Sequence, residues 1–462
     1  MSKQQRKGSS EEPDAQGASP PPPAYFLSVT VENIRCFGPA QTLDLSDGHG
    51  RPARWTVILG DNGTGKTTLL QALEGVEPRE VRALRDRSGE RRVFSAIEIA
   101  KIAKFAGRRF TELRGHAASF ELSVRVSYGS KLSELVVGNE TNFSITGNDI
   151  ELQARWNDRE QVVGLRCYAY SASRRMAETG VAEKPGDDPR VSFFSDEVAL
   201  PNAEEWLLQA DYAAQRASGA EKKRAARRRD QVVKLLVDLL PDVTEIRYDE
   251  PEAPRLVPRV LFRTPYGSVT IDQISLGYRT MIAWTVDLAR RLFERYPESP
   301  QPLAEPAVVL VDEIDLHLHP KWQREIIAFL SERFPNTQFI VTAHSPLIVQ
   351  AALEANLAVL RRPEGADHVV VEQDLALLSN LRVDQILTSE LYGLQSARPR
   401  RLDELLEQRR ALLSKGTVTD ADRRALEEIE AKIGNLPAGE TPEEMEAMDI
   451  IQRAAAWLKQ NP

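Results

Sequence analysis

The stretch "WTVILGDNGTGKTTLLQAL", Trp55 to Leu73, decides the reading of this chain. It opens with a short apolar run, Val57, Ile58 and Leu59, as expected of a buried strand. It closes on a helical run. Between the two, Gly60, Asp61, Asn62, Gly63, Thr64, Gly65, Lys66 and Thr67 fit G-x-x-x-x-G-K-[ST] at every fixed position. The chemistry of phosphate binding requires that layout. Glycines let the backbone wrap so that its N–H groups point inward at anionic oxygens. The helix starting near Lys66 adds the positive end of its dipole. Lys66 is placed to reach the β- and γ-phosphates, and Thr67 to offer its hydroxyl to Mg²⁺. A chance Gly-rich turn would have no reason to sit between a strand and a helix. The expected nucleotide contacts are Gly60, Asn62, Gly63, Thr64, Gly65, Lys66, Thr67 and Thr68.

Two later stretches repeat the pattern of a buried strand ending in polar groups. In "VVLVDEIDLHLHP", Val308 to Val311 deliver Asp312 and Glu313 at the strand's C-terminal end, the edge where open α/β sheets bind ligands. Asp312 is expected to hold Mg²⁺ through water, and Glu313 to orient or deprotonate the attacking water. In "TQFIVTAHSPLIV", Ser345 and Pro346 supply an N-cap and a first-turn Pro for the next helix. That junction is expected to hold His344 at the same sheet edge as Asp312, within reach of a γ-phosphate. His317 and His319 invite a metal reading, but no third ligand is in view, so they are read as loop or interface residues. Pro320 starts the following helix.

A third stretch, "ISLGYRTMI" (Ile274 to Ile282), follows the alternating hairpin pattern of "RVLFRTPYGSVTI" and precedes an apolar-periodic run. Elsewhere "YFLSVTVENIRCF" alternates Leu27, Val29 and Val31 against Ser28, Thr30 and Glu32, and "SFELSVRVSY" alternates likewise. "GLRCYAYSASRR" is a strand running into a polar turn, and "AIEIAKIAKF" reads as a helix. Ala203 to Leu240 reads as two helices broken near "ASG", too short for a heptad coiled coil. After Asn380 the pattern is mostly amphipathic helix.

The 462 residues leave room for an elaborated large domain plus an appendage. A net charge of −8 excludes a polycation built to coat nucleic acid, although local basic patches remain open. The 2 cysteines, Cys36 and Cys167, lack C-x-x-C spacing, which argues against a disulfide framework or zinc site and suits a reducing cytosol; a cytoplasmic location is expected. No apolar run approaches membrane-spanning length. Residues 1–23 are Pro/Ser-rich without a signal-peptide core and read as a disordered tail.

"GDNGTGKTT", "SLGYR", "VLVDEIDLHLHP" and "VTAHSP", in this order, resemble the ABC-type ATPases of the AAA family, in the non-transporter branch shared with OLD-type, RecF-like and SMC-like ATPases. The resemblance covers most of Tyr25 to Leu360. It implies an α/β fold: an ABC-type P-loop ATPase head, a mixed central sheet plus an antiparallel β subdomain, with helical insertions and a C-terminal helical region. The implied boundaries are 24–375 for the ATPase domain, with a basic insert at 80–118 and a helical arm at 199–245, and 376–462 for a helical region making partner or oligomer contacts. It also implies ATP and Mg²⁺ as cofactors, slow ATP hydrolysis, Glu313 and His344 as catalytic residues, and Thr67 and Asp312 at the metal. By the same likeness Ser275 and Gly277 touch the γ-phosphate held by a second copy's Lys66, giving a two-fold head-to-tail dimer or a higher oligomer, with Arg279 assisting.

The chain departs from the transporter pattern. Its signature lacks two adjacent glycines, and residues 76–265 separate the region of the phosphate loop from it. No Q-loop glutamine is assigned; "AYSASRR" (Ala169 to Arg175) lies where that loop belongs, and Arg35 or Phe37 is expected on the adenine side. "VDQILTSELYGLQSARP", followed by helices and "LPAGETPEE", resembles the PtuA-type ATPases of Septu anti-phage and retron systems, which implies an HNH nuclease partner. OLD-type nucleases append a Toprim domain; Asp420-Ala421-Asp422 mimics its D-x-D, but Thr419 and Asp422 fit a helix N-cap pair, so no nuclease centre is expected. The basic stretches Arg82–Arg114 and Lys222–Arg229 are expected to grip DNA phosphates. Three functions follow: a defence ATPase whose nucleotide-dependent dimerisation gates a partner nuclease, a RecF- or SMC-type repair ATPase, and a slow ATP-locked scaffold.

Overall fold

The computed structural model describes residues 23–75, 121–128, 131–138, 153–156, 165–177, 199–249, 258–352, 354–373, 381–389, 391–392, 394, 397, 399–414 and 419–433. The basic insert at 80–118, the "AIEIAKIAKF" helix, the "LPAGETPEE" stretch and residues 1–22 of the expected tail lie outside them.

Six strands form the central sheet: β3 (Trp55–Gly60), β7 (Cys167–Tyr170), β11 (Ala307–Val311), β12 (Thr337–Thr342), β13 (Asn356–Arg361) and β14 (Val370–Glu372), in the order β14-β13-β3-β12-β11-β7. All neighbouring pairs are parallel except the edge pair β13–β14. A mixed sheet was expected, and its composition explains it: β3, β7, β11 and β12 are buried along almost their whole length, as parallel strands covered on both faces must be.

A second sheet is antiparallel. It comprises β1 (Ala24–Glu32), β2 (Gln41–Asp44), β4 (Glu121–Tyr128), β5 (Lys131–Gly138) and β6 (Gln153–Trp156), in the order β2-β1-β4-β5-β6. The alternation read in β1 is not continuous. A register irregularity between Phe26 and Ser28 puts Phe26 in the same buried cluster as Val29 and Val31. A hairpin, β9 (Arg259–Thr264) and β10 (Gly267–Thr270), joins β8 (Glu245–Asp249) in a third sheet.

The core lies between the first two sheets. Helix α1 (Lys66–Gly75) contributes Leu69, Leu70, Ala72 and Leu73 to it. The central sheet contributes Ile58, Val308, Leu310 and Ile340, and the antiparallel sheet Phe26, Leu43, Val124 and Val126. Val57, Val309 and Phe339, of opposite parity, are also buried and face the other side. On that side Trp284 of a long helix packs against Tyr170, with ring centroids 5.4 Å apart.

Helices α2 (Ala203–Arg216) and α3 (Gly219–Leu239) are broken at residues 217–218, as "ASG" suggests. They pack on each other and on α4 (Leu276–Arg295), where Trp206 stacks on Phe293 at 6.0 Å. Helices α5 (Pro320–Arg333) and α6 (Pro346–Ala351) complete the first compact unit, residues 1–381. The second unit, residues 382–462, contains α7 (Val383–Leu387), α8 (Arg400–Leu413) and α9 (Asp420–Ile433). Before α9, Thr419 Oγ1 donates to Asp422 Oδ2 at 2.6 Å and accepts from Asp422 N at 3.2 Å, the reciprocal cap read from the sequence. No helix among the described residues is long and apolar enough to cross a membrane.

Candidate functional site

Because β3, β12, β11 and β7 run parallel and side by side, their C-terminal ends lie along one edge. That edge collects four segments distant in sequence: the phosphate loop after Gly60, His344 after Thr342, Asp312 after Val311 and the 171–174 loop after Tyr170. The geometry follows the ligand-binding rule for open α/β sheets.

The phosphate loop turns on glycines. Gly60, Gly63 and Gly65 have φ of 145°, 79° and 91°, a region that costs other residues strain. A side chain at Gly60 would strike the carbonyl of Leu360, and one at Gly65 would lie 2.5 Å from Cys36 Sγ and 2.8 Å from Phe37 Cε2. Gly63 has open space around it. The Lys66 ammonium folds back and donates to the carbonyls of Gly60 at 2.7 Å and Asp61 at 2.8 Å. Burial lowers its pKa; Asp312, Glu313, Asp61 and Asp315 work in the opposite direction.

Thr67 and Asp312 meet: Thr67 Oγ1 donates to Asp312 Oδ2 at 2.6 Å. Thr342, at the end of β12 between them, donates to Asp312 Oδ1 at 2.5 Å and accepts from Glu313 N at 2.7 Å. Asp315 ties in the chain just beyond that strand, accepting from His344 N at 3.0 Å and Ser345 N at 2.7 Å. His344 Nε2 is buried with no hydrogen-bond partner among the described residues. Arg174 reaches over from the β7 side and donates to the carbonyls of Asp312 at 2.6 Å and Glu313 at 2.9 Å. Burial pushes its guanidinium down to about 10, with Asp312, Asp315 and Glu313 resisting.

Sequence reasoning named Thr67, Asp312, Glu313 and His344 but not Thr342, Asp315 or Arg174. Thr342 stands inside the quoted "VTAHSP" and Arg174 inside "AYSASRR", so position in a motif was the available signal.

The edge fits a magnesium nucleotide. One aspartate oxygen pair with a threonine hydroxyl is the oxygen donor set Mg²⁺ takes when phosphates and water complete its octahedron. Lys66 lies among the carboxylates of Asp61, Asp312, Glu313 and Asp315, and Arg174 near the last three, an excess of negative charge that suits a divalent cation. Among the described residues no cluster of three His, Cys, Asp or Glu side chains could hold a metal by itself. His319 instead caps α5, its Nδ1 accepting from Lys321 N at 3.3 Å.

Ser275 and Gly277 stand apart. Among the described residues no hydrogen bond joins them to the phosphate loop. Ser275 is the N-cap of α4 but makes no side-chain cap, and Leu276 beside it is 53% exposed. Gly277 packs on the backbone of His317, whose φ is 64°; a side chain there would strike the His317 carbonyl. The requirement for glycine at 277 is thus already met inside one chain.

Of the two adenine-side candidates, the fold excludes Phe37. Phe37 is fully buried beneath the phosphate loop, against Gly65, and cannot stack on a base. Arg35 braces α1, with Nη1 3.1 Å from Thr68 Oγ1 and 3.3 Å from Gln71 Oε1.

The basic run on α3 divides. Arg224 pairs with Glu298 at 3.0 Å, and Arg228 donates to the carbonyls of Phe293 and Pro297. Lys223, Arg227 and Lys234 are exposed without ion pairs among the described residues, and line an open groove of about 590 Å³.

Two family models match the chain: an AAA domain over residues 28–180, and one described as "AAA domain, putative AbiEii toxin, Type IV TA system" over residues 179–350. Septu protein PtuA of Bacillus mycoides is 25% identical over 415 residues, 88% of this chain and 50% of that protein. The "Retron Ec83 probable ATPase" of Escherichia coli is 46% identical over 94 residues, 20% of this chain and 17% of that protein. The chain therefore spans half the length of one curated relative and less of the other. The SMC head domain from Thermotoga maritima covers 75% of this chain and 98% of its own, at 14% identity and a TM-score of 0.40.

Proposed function

From a chain that carries AAA-family ATPase domains and resembles Septu PtuA and retron ATPases, we propose an ATP-hydrolysing subunit of an anti-phage complex. The observation that carries this reading is the unbroken hydrogen-bond chain from Thr67 through Asp312 and Thr342 to Glu313 at the edge of the parallel sheet.

In this reading the N–H groups of the loop from Asn62 to Thr68 and the Lys66 ammonium bind the phosphates, Lys66 exchanging its two carbonyl partners for them. Thr67 and Asp312 hold Mg²⁺. When bound, the ion neutralises charge developing on the transferred phosphoryl group. Glu313 orients the attacking water and takes its proton. His344 Nε2, buried without a partner among the described residues, hydrogen-bonds the terminal phosphate. Ser275, Gly277 and the N-terminus of α4 meet the phosphate held by a second copy; the uncapped Ser275 hydroxyl and the exposed Leu276 support that assignment. The ATP-bound dimer gates an HNH nuclease partner, and Lys223, Arg227 and Lys234 contact DNA. Neither Cys36 nor Cys167 is in a disulfide among the described residues, in keeping with a reducing, cytoplasmic setting.

The test is ATP hydrolysis and plasmid cleavage, followed together as ATP is titrated, by the protein alone and with the product of the adjacent gene. Lys66→Ala is expected to weaken ATP binding by on the order of 100-fold, since charge-assisted hydrogen bonds carry roughly 1.5–3 kcal/mol each. Glu313→Gln is expected to keep binding, lose turnover by on the order of 10²–10⁴ and accumulate as dimer. ATP affinity unchanged in Lys66→Ala overturns the phosphate-loop assignment. Turnover stimulated by DNA alone, with no ATP-dependent cleavage beside the partner, replaces the defence reading with a repair ATPase.

A further inference from the structure

The segment from Tyr170 to Arg174 grips the backbone of Asp312 at both its N–H and its C=O. Asp312 N donates to the Tyr170 carbonyl at 2.9 Å. The carbonyls of Asp312 and Glu313 are both taken by the Arg174 guanidinium. Glu313 is therefore pinned at its N–H, by Thr342, and at its C=O, by Arg174.

That pinning coincides with strain. Glu313 has a φ of 50° and Arg174 one of 31°. Left-handed backbone at a non-glycine residue costs on the order of 1–3 kcal/mol and persists only where the surroundings over-determine it. At Glu313 this conformation sets the direction in which the side chain leaves the backbone. A guanidinium suits this role: its planar fork presents its N–H donors in a fixed geometry to the two carbonyls, where a lysine ammonium is a compact point charge on a flexible stem. Arg174 is only 4% exposed, and burying a charge is costly unless it is well paired. Yet its main bonds go to carbonyls and not to carboxylates, so neutralising Asp312 and Asp315 does not account for its placement.

We propose that Arg174 is a positioning residue for hydrolysis, holding Glu313 in the left-handed backbone that directs its carboxylate to the attacking water. The proposal rests on the assignment of Glu313 as the catalytic base. The bonds of Arg174 go to the main chain of Asp312 and Glu313. It acts through the backbone of Glu313, and the sequence offers it in the place where a Q-loop glutamine was sought.

The experiment compares wild type, Lys66→Ala, Glu313→Gln, Arg174→Lys, Arg174→Gln and the double variant Arg174→Lys with Glu313→Gln, measuring ATP affinity and turnover separately. Arg174→Lys is expected to keep ATP affinity within about threefold and to lower kcat by about tenfold or more, because the loss falls on the chemical step and not on ground-state binding. In the double variant the Arg174 change is expected to add nothing beyond Glu313→Gln, as residues acting as a unit do. Wild-type turnover in Arg174→Lys overturns the proposal while leaving the ATPase reading intact. So does an equal fold-loss on the Glu313→Gln background, or a loss of affinity matching the loss of turnover. If Arg174→Lys does not fold, Arg174→Gln is read by the same criteria. Failure of both to fold makes Arg174 a structural residue and overturns the proposal. Wild-type protein without turnover sensitive to Lys66→Ala overturns the ATPase reading and this one with it.

Discussion

The Thr67 hydroxyl lies 2.6 Å from the Asp312 carboxylate, although 245 positions separate them in the chain. Nothing between these residues brings them together locally. They meet because β3 and β11 both flank β12, so the residues leaving their C-terminal ends emerge beside Thr342. The same neighbour relationship makes Thr342 the hinge of the site, and it leads to the first prediction.

Thr342→Val keeps the shape of the side chain and removes its oxygen. It deletes the donor to Asp312 Oδ1 and leaves the Glu313 N–H without its acceptor. The loss of one hydrogen bond to a charged group, worth roughly 1.5–3 kcal/mol, is joined by the penalty of an orphaned donor. Thermal unfolding is expected at a lower temperature, and ATP turnover to fall further than ATP affinity. Equal midpoints for variant and wild type would show that these bonds carry no net stability.

Gly277→Ala tests the contact made inside one chain. The added methyl runs into the His317 carbonyl, and forcing an extra carbon into a packed contact costs roughly 1–3 kcal/mol. The unfolding midpoint of the nucleotide-free protein is therefore expected to drop. If it does not, and only nucleotide-dependent dimerisation is lost, the glycine serves the second copy's phosphate and not its own loop.

The division of the α3 basic run predicts two different phenotypes. Lys223, Arg227 and Lys234 are exposed on one groove, spaced roughly 6 Å and 10 Å apart along the helix axis. Replacing all three with Gln is expected to weaken duplex DNA binding and to flatten the dependence of log K on log salt by up to about 3, one counterion for each cation removed. Arg228→Ala, which removes bonds to the Phe293 and Pro297 carbonyls, is expected to lower stability and leave DNA affinity as it was. Electrophoretic mobility shifts across a salt series separate the two; identical losses in both variants would mean the groove is not the DNA-binding face.

The phosphate loop, the two strands leading to Asp312 and His344, the helix starting at Pro320 and the cap at Thr419 are legible without a structure. Each is a local signal: a run of side chains whose periodicity, glycine spacing or capping chemistry is complete within about fifteen residues. Which strand ends are neighbours, and so which residues share the site, emerges from the folded sheet alone. Strand order is set by crossovers, and no window of sequence contains both sides of one. For that reason Thr342, Asp315 and Arg174 were unassigned, Phe37 was placed on the wrong side of the loop, and the strand β13 beside β3 was not foreseen. An arginine buried against two carbonyls looks, in sequence, like any arginine in a polar turn; burial and a partner 138 positions away give it a role.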